Sequence, residues 1–181
     1  MQDQLDFLHL LAERLDGAGI PYMLTGSLAM ALYAEPRMTR DIDLVVECKG
    51  RTAEDFVKLF QDVCYINADA VRQALASGGM FNIIHLEGVS KADFVVRRPE
   101  DYRRTEFARR RLMNIGGREI SVVAPEDLIL SKLLWWIAGD SDLQRADLRM
   151  LLESLPELDM DYIELWAQRL GAVTRLQELM E

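Results

Sequence analysis

The run Asp41-Ile42-Asp43-Leu44-Val45-Val46 constrains this chain more than any other stretch. Its apolar character predicts a β-strand, and strand side chains alternate between faces. Asp41 and Asp43 therefore share one face, roughly 6–7 Å apart at the backbone, while Ile42, Leu44 and Val46 face the other side and can enter a core. Two carboxylates held this way repel each other unless a cation sits between them. Magnesium prefers such oxygen ligands together with substrate phosphates. The plain alternative, two aspartates in a solvated turn, leaves their apolar strand context unexplained.

What precedes and follows this strand points the same way. Tyr22-Met23-Leu24-Thr25 reads as a short strand, Gly26-Ser27 follows at once, and Leu28 to Ala34 reads as a buried helix broken by Pro36. A glycine lets the backbone turn closely, and amides at a helix N-terminus suit a triphosphate. Ser27 can add a hydroxyl donor, a role compatible with a simple helix cap. Asp93, in Lys91-Ala92-Asp93-Phe94-Val95-Val96, falls on the face opposite Ala92, Phe94 and Val96. If that strand lies beside the Asp41 strand, three carboxylates converge, enough to hold two metals for an in-line phosphoryl displacement. Otherwise Asp93 is an exposed hairpin residue.

Elsewhere, leucines from Leu5 to Leu15 recur at helical spacing, and Thr52 with Asp55 resembles a capping box opening another helix. A weaker helix is expected over 68–76. Met80 to Leu86 pairs with Lys91 to Val96 across Glu87-Gly88-Val89-Ser90, and Phe107 to Ile115 pairs with Glu119 to Val123 across Gly116-Gly117. Pro125 opens a helix, and beyond it the chain reads as helices near 125–138, 142–154, 160–170 and 172–180. This pattern predicts an α/β (α+β) catalytic core over residues 1–124 and a C-terminal helical region, residues 125–181, packed on it.

The run Gly26-Ser27, then Asp41-Ile42-Asp43-Leu44, resembles the nucleotidyltransferase superfamily signature of Gly-Gly or Gly-Ser, a short helix and Asp-x-Asp. Arg37-Met38-Thr39-Arg40-Asp41-Ile42-Asp43 looks like the version in small bacterial members, the abortive-infection nucleotidyltransferase toxins and their relatives. Pro125-Glu126-Asp127-Leu128 through Lys132, then Asp142 and Asp147-Leu148, is similar to a later motif of that group. The resemblance spans roughly residues 20–155 and implies a polymerase-beta-type fold with a mixed sheet. It implies magnesium (or manganese) on Asp41, Asp43 and Asp93, triphosphate on Gly26 and Ser27, and nucleotide contacts from Lys132 and Asp147. Relatives often carry Lys-Asp before the final aspartate; here the stretch reads Gly139-Asp140-Ser141-Asp142-Leu143-Gln144.

Spacing supports Lys132 and Asp147 independently. Lys132 has Leu128, Ile129, Trp135 and Trp136 at helical spacing, and Asp147 has Leu143 and Leu151. Charges on such buried faces need partners: each other, or a phosphate on Lys132. Arg37 and Arg40 either hold the nucleotide or an acceptor, or are solvated loop charges.

A net charge of -9 excludes a general polyanion binder. Yet the span 97–118 carries eight arginines against three acids, a local net charge of +5. It is either an RNA-binding stripe or a solvated or partner-facing surface. Trp135, Trp136 and Trp166 read as core, and His9 and His85 as structural. Cys48 and Cys64 fit neither a disulfide framework nor a zinc pattern. The start, Met1-Gln2-Asp3-Gln4, shows no signal peptide, and no stretch is long enough to span a membrane. Together these point to a cytoplasmic, magnesium-dependent enzyme moving an NMP from an NTP such as ATP to a hydroxyl of RNA or protein. Asp93 would help deprotonate that hydroxyl. The alternatives are an antibiotic-modifying enzyme and a catalytically silent nucleotide-binding partner of a toxin–antitoxin pair. The expected associations are an antitoxin or a homodimer.

Overall fold

A seven-stranded mixed sheet organises the molecule. The structure is a computed structural model that describes residues 2–35, 38–88 and 90–180. Met1, Pro36, Arg37 and Val89, which entered the sequence reading, lie outside the described residues. In chain order the elements are α1 (Gln2–Gly17), β1 (Tyr22–Thr25), α2 (Gly26–Met30), β2 (Asp41–Val46), α3 (Ala53–Phe60), β3 (Cys64–Ile66), α4 (Ala68–Ser77) and β4 (Met80–His85). Then follow β5 (Lys91–Val96), α5 (Asp101–Ala108), β6 (Arg111–Ile115), β7 (Arg118–Val122), α6 (Pro125–Gly139), α7 (Asp142–Ser154), α8 (Met160–Arg169) and α9 (Val173–Met180). The strand order is β3-β4-β5-β2-β1-β7-β6. β2 runs parallel to β5 and antiparallel to β1, and β1 runs parallel to β7.

Alternation along the strands decides which face is core. Ile42, Leu44 and Val46 of β2 and Ala92, Phe94 and Val96 of β5 are buried. Aromatic rings of α3 meet those of the sheet, with Phe56 against Phe81 at 5.4 Å and Phe60 against Phe94 at 5.6 Å between centroids. Thr52 and Asp55 form the expected reciprocal cap that starts α3. The opposite face of β2 and β5 carries Asp41, Asp43 and Val45 beside Lys91, Asp93 and Val95.

Helix α6 is buried almost all round along its first half, from Pro125 to Leu133, because it packs against α2 on one side and α7, α8 and α9 on others. Its acidic start is tied down rather than solvated. Asp127 accepts from Arg109 Nε at 2.9 Å and from the Tyr162 hydroxyl at 2.6 Å, which links the C-terminal cap of α5 to α6 and α8. Among the described residues no helix is long and apolar enough to cross a membrane.

Three expectations are corrected. The helix expected over Leu28 to Ala34 starts earlier, at Gly26, and loosens into turns after Met30. Phe107 to Arg110 is not strand: Phe107 lies in α5, where Tyr102, Glu106 and Phe107 form a buried stripe amid arginines. Trp135 is not core; it is 39% exposed, whereas Trp136 and Trp166 are buried.

Candidate active site

Parallel pairing of β2 with β5 sets Asp43 directly opposite Asp93 and Asp41 opposite Lys91. Asp93 is buried, Asp43 half-buried and Asp41 exposed. The β1–β2 pair places Thr25 across from Asp43, and Gly26 follows at once. Gly26 sits at φ +69°, and a Cβ there would lie 2.0 Å from Asp43 Oδ2 and 2.6 Å from its Cγ. Left-handed backbone and contact distance both demand glycine. The turn after β1 is thus moulded onto the Asp43 carboxylate.

Burial pushes the Asp43 carboxyl up to about 6, and the charges of Asp93 and Asp41 push in the same direction. Lys132 and Lys91 oppose them. Lys91 Nζ lies 3.1 Å from Asp93 Oδ2 and 3.7 Å from Asp41 Oδ1. The hydrogen bond to Asp93 raises the pKa of the lysine. The other oxygen of Asp93, Oδ1, is buried without a hydrogen-bond partner. Sequence reasoning missed Lys91. Its signal was a position two residues before Asp93, hence on the same face.

Among the described residues no three His, Cys, Asp or Glu side chains are gathered into a ready metal cage. The expected convergence is therefore partial: two of the three carboxylates are bridged by an ammonium. The donor set still fits a hard divalent cation, since it offers carboxylate oxygens only, one of them buried and unsatisfied.

Lys132, wholly buried on α6, donates to Asp147 Oδ2 at 2.6 Å and to Gln144 Oε1 at 3.3 Å. Gln144 stands in the stretch where this chain departs from the family pattern. Ser27 is half-buried as the second residue of α2, and Arg40 is exposed just ahead of β2.

A cavity of about 430 Å3 opens beside Asp43 and Thr25, floored by Val45, Val95 and Met80, with Arg98 and Trp135 in its wall. Trp135 lies three residues after Lys132, on the same side of α6, and its ring centroid is 5.9 Å from Lys132 Nζ. That spacing was the available signal for a site-wall indole.

The arginines of 97–118 form no free stripe. Among the described residues six of the eight have carboxylate partners: Arg97 with Glu47, Arg103 with Glu106, Arg104 with Asp101, Arg109 with Glu126 and Asp127, Arg111 with Glu126, and Arg118 with Asp16. Arg98 and Arg110 donate to the backbone carbonyls of Gly78 and Phe107. The local surplus of charge is largely neutralised by acids from elsewhere in the chain.

Residues 9–178 match the model of the family described as "Nucleotidyl transferase AbiEii toxin, Type IV TA system". No protein of curated function matches the chain significantly in sequence. Among solved structures, an antigenic nucleotidyltransferase-like protein from Paracoccidioides brasiliensis is 23% identical, over 85% of this chain and 76% of that one, at a TM-score of 0.57. The antibiotic-resistance factor ANT(2'')-Ia is 15% identical over 98% of each chain, at 0.60. The lincosamide antibiotic adenylyltransferase LnuA is 13% identical over 83% of this chain and 96% of that one, at 0.53. At these identities the likeness is one of fold.

Proposed function

Because the chain belongs to the AbiEii nucleotidyltransferase toxin family, we propose that it transfers a nucleoside monophosphate from a magnesium-bound NTP to a hydroxyl of RNA or protein. The acceptor oxygen bonds to the α-phosphorus, the bond to the β-phosphate oxygen breaks, and pyrophosphate leaves. The observation that carries this reading is the seating of Gly26 against Asp43 with Asp93 in register. It joins a turn suited to phosphates and a carboxylate pair suited to a cation in one place.

Asp41, Asp43 and Asp93 would hold the divalent ion, which when bound neutralises charge on the phosphates. Gly26 and Ser27 bind the β- and γ-phosphates. Lys132, held by Asp147 and Gln144, sets a positive charge beside the carboxylates and the phosphates they position. Arg40, on the loop before β2, is available to the nucleotide. Asp93 would help take the proton of the attacking hydroxyl. The cavity beside Asp43 admits the acceptor, with Trp135 along its wall.

A toxin family supports cellular RNA or protein as the acceptor class, and its place in a toxin–antitoxin system supports an antitoxin as partner. The free thiols Cys48 and Cys64 suit a reducing cytoplasm. One observation favours a second reading. With the arginine stretch internally paired and the chain at -9, a small cationic hydroxylated molecule is also a fitting acceptor, as ANT(2'')-Ia and LnuA are antibiotic-directed proteins of this fold.

The test is label transfer. The protein is incubated with magnesium and each α-labelled NTP, with total cellular RNA, total protein or aminoglycosides, beside an Asp41→Asn/Asp43→Asn control. Label that enters one acceptor fraction and is lost in the control supports the reading and names the acceptor. Equal signal from the control, or none in any fraction, contradicts it.

A further inference from the structure

We infer that Lys91 is a tethered counter-ion of the carboxylate site, holding Asp93 and Asp41 in the metal-free protein and competing with a divalent cation for them. The inference rests on the proposed metal role of those aspartates and adds a residue that neither the sequence motif nor the family resemblance contains.

The geometry is set by the sheet. Lys91 and Asp93 lie two apart on β5 and project from one face, and the parallel register places Lys91 opposite Asp41. The flexible four-carbon stem then carries the ammonium between the two carboxylates, 3.1 Å from one and 3.7 Å from the other. Asp93 is buried, and a carboxylate buried beside two others is costly unless a cation accompanies it. Lys91 is that cation, covalently supplied. It takes one oxygen of Asp93 and leaves the other without a hydrogen bond.

This arrangement has a consequence for metal binding. A divalent ion arriving alone meets a positive charge already in place and must displace it. The lysine side chain is one-third exposed, so the ammonium can swing outward, but it then gives up two carboxylates for water. An ion arriving with an NTP brings phosphate oxygens that can receive the displaced ammonium. Lys91 therefore disfavours the metal alone and favours the metal–nucleotide complex. It acts as a positioning residue for the aspartates.

Manganese binding without nucleotide, followed by the electron paramagnetic resonance of the free ion, tests this in the full-length protein. Lys91→Met is expected to bind manganese about tenfold or more tighter than wild type. Lys91→Arg, which keeps the charge, is expected to stay near wild type. The metal-free Lys91→Met protein should melt at a lower temperature than wild type, and manganese should restore the loss; that arm reads the counter-ion role without any turnover. Lys91→Met binding no tighter than a measurable wild type would overturn this inference alone, as would an equal gain in Lys91→Arg. No manganese on any of the three proteins would overturn it together with the proposed metal role of the aspartates.

Discussion

Replacing a hydrogen of Gly26 by a methyl group would put a carbon 2.0 Å from Asp43 Oδ2 while the backbone sits at φ +69°. Gly26→Ala is therefore expected to lose roughly 1–3 kcal/mol of stability through strain and, by displacing the Asp43 carboxylate, to lose nucleotidyl transfer; chemical denaturation and the label assay read the two effects. Asp43 itself opposes folding when ionised. Its carboxyl is raised from 3.8 to about 6, so the penalty is absent below the lower value, grows between the two and is complete above the higher. In metal-free protein Asp43→Asn should accordingly stabilise by on the order of 1–2 kcal/mol near pH 8, after discounting for solvent screening, and by nothing near pH 3. A thermal-melt series across pH would contradict this if the gain were flat or largest in acid. The aspartates and Gly26 were legible as residues because strand alternation and turn chemistry are local. Lys91 was not, since its meaning depends on which strand lies beside β5.

At the scale of elements, the strands that carry the site were readable from short apolar runs, and β1, β2 and β5 occupy the spans expected of them. Their order in the sheet was not readable. A parallel pair such as β2–β5 joins segments some fifty residues apart, and nothing local encodes it. Helix α5 was missed because its buried stripe, Tyr102, Glu106 and Phe107, is short and set among arginines. That helix matters: Arg103 donates to Glu106 and to Ser131 of α6, and Arg109, which caps its C-terminus, stacks on the Tyr162 ring at 3.9 Å while pairing with Asp127. Tyr162→Phe removes the hydroxyl that donates to buried Asp127 and should cost about 1–2 kcal/mol in urea unfolding. Asp147→Ala removes the carboxylate nearest buried Lys132 and should cost more, roughly 2–4 kcal/mol. Lys132→Met combined with Asp147→Leu should recover part of that loss in stability, since an apolar pair of similar volume replaces the ion pair, while nucleotidyl transfer stays lost. Equal costs for Asp147→Ala and the double variant would contradict a buried, paired lysine.

Among the described residues one apolar cluster runs from α1 through the sheet to Leu176 and Leu179 of α9. The division at residue 124 suggested by the sequence pattern thus falls inside a shared core. A chain ending at residue 124 would expose the apolar faces that α6 covers and leave Arg109 without Glu126 and Asp127, so it is expected to lack a cooperative unfolding transition; a sharp two-state melt of that fragment would contradict this. The same continuity explains how Lys132 and Trp135, on α6, come to stand near the Asp43 carboxylate of β2. On the proposed function, Asp41, Asp43 and Asp93, closed by Gly26 and Lys132, form a metal–nucleotide site. Its most direct test is a crystal structure with manganese and an NTP whose α–β bridge resists cleavage, read by the anomalous signal of the metal. The expected result is manganese bound by the three aspartates, the β- and γ-phosphates against Gly26 and Ser27, and Lys91 turned away from Asp93. Nucleotide bound elsewhere, or manganese that ignores the aspartates, would contradict it.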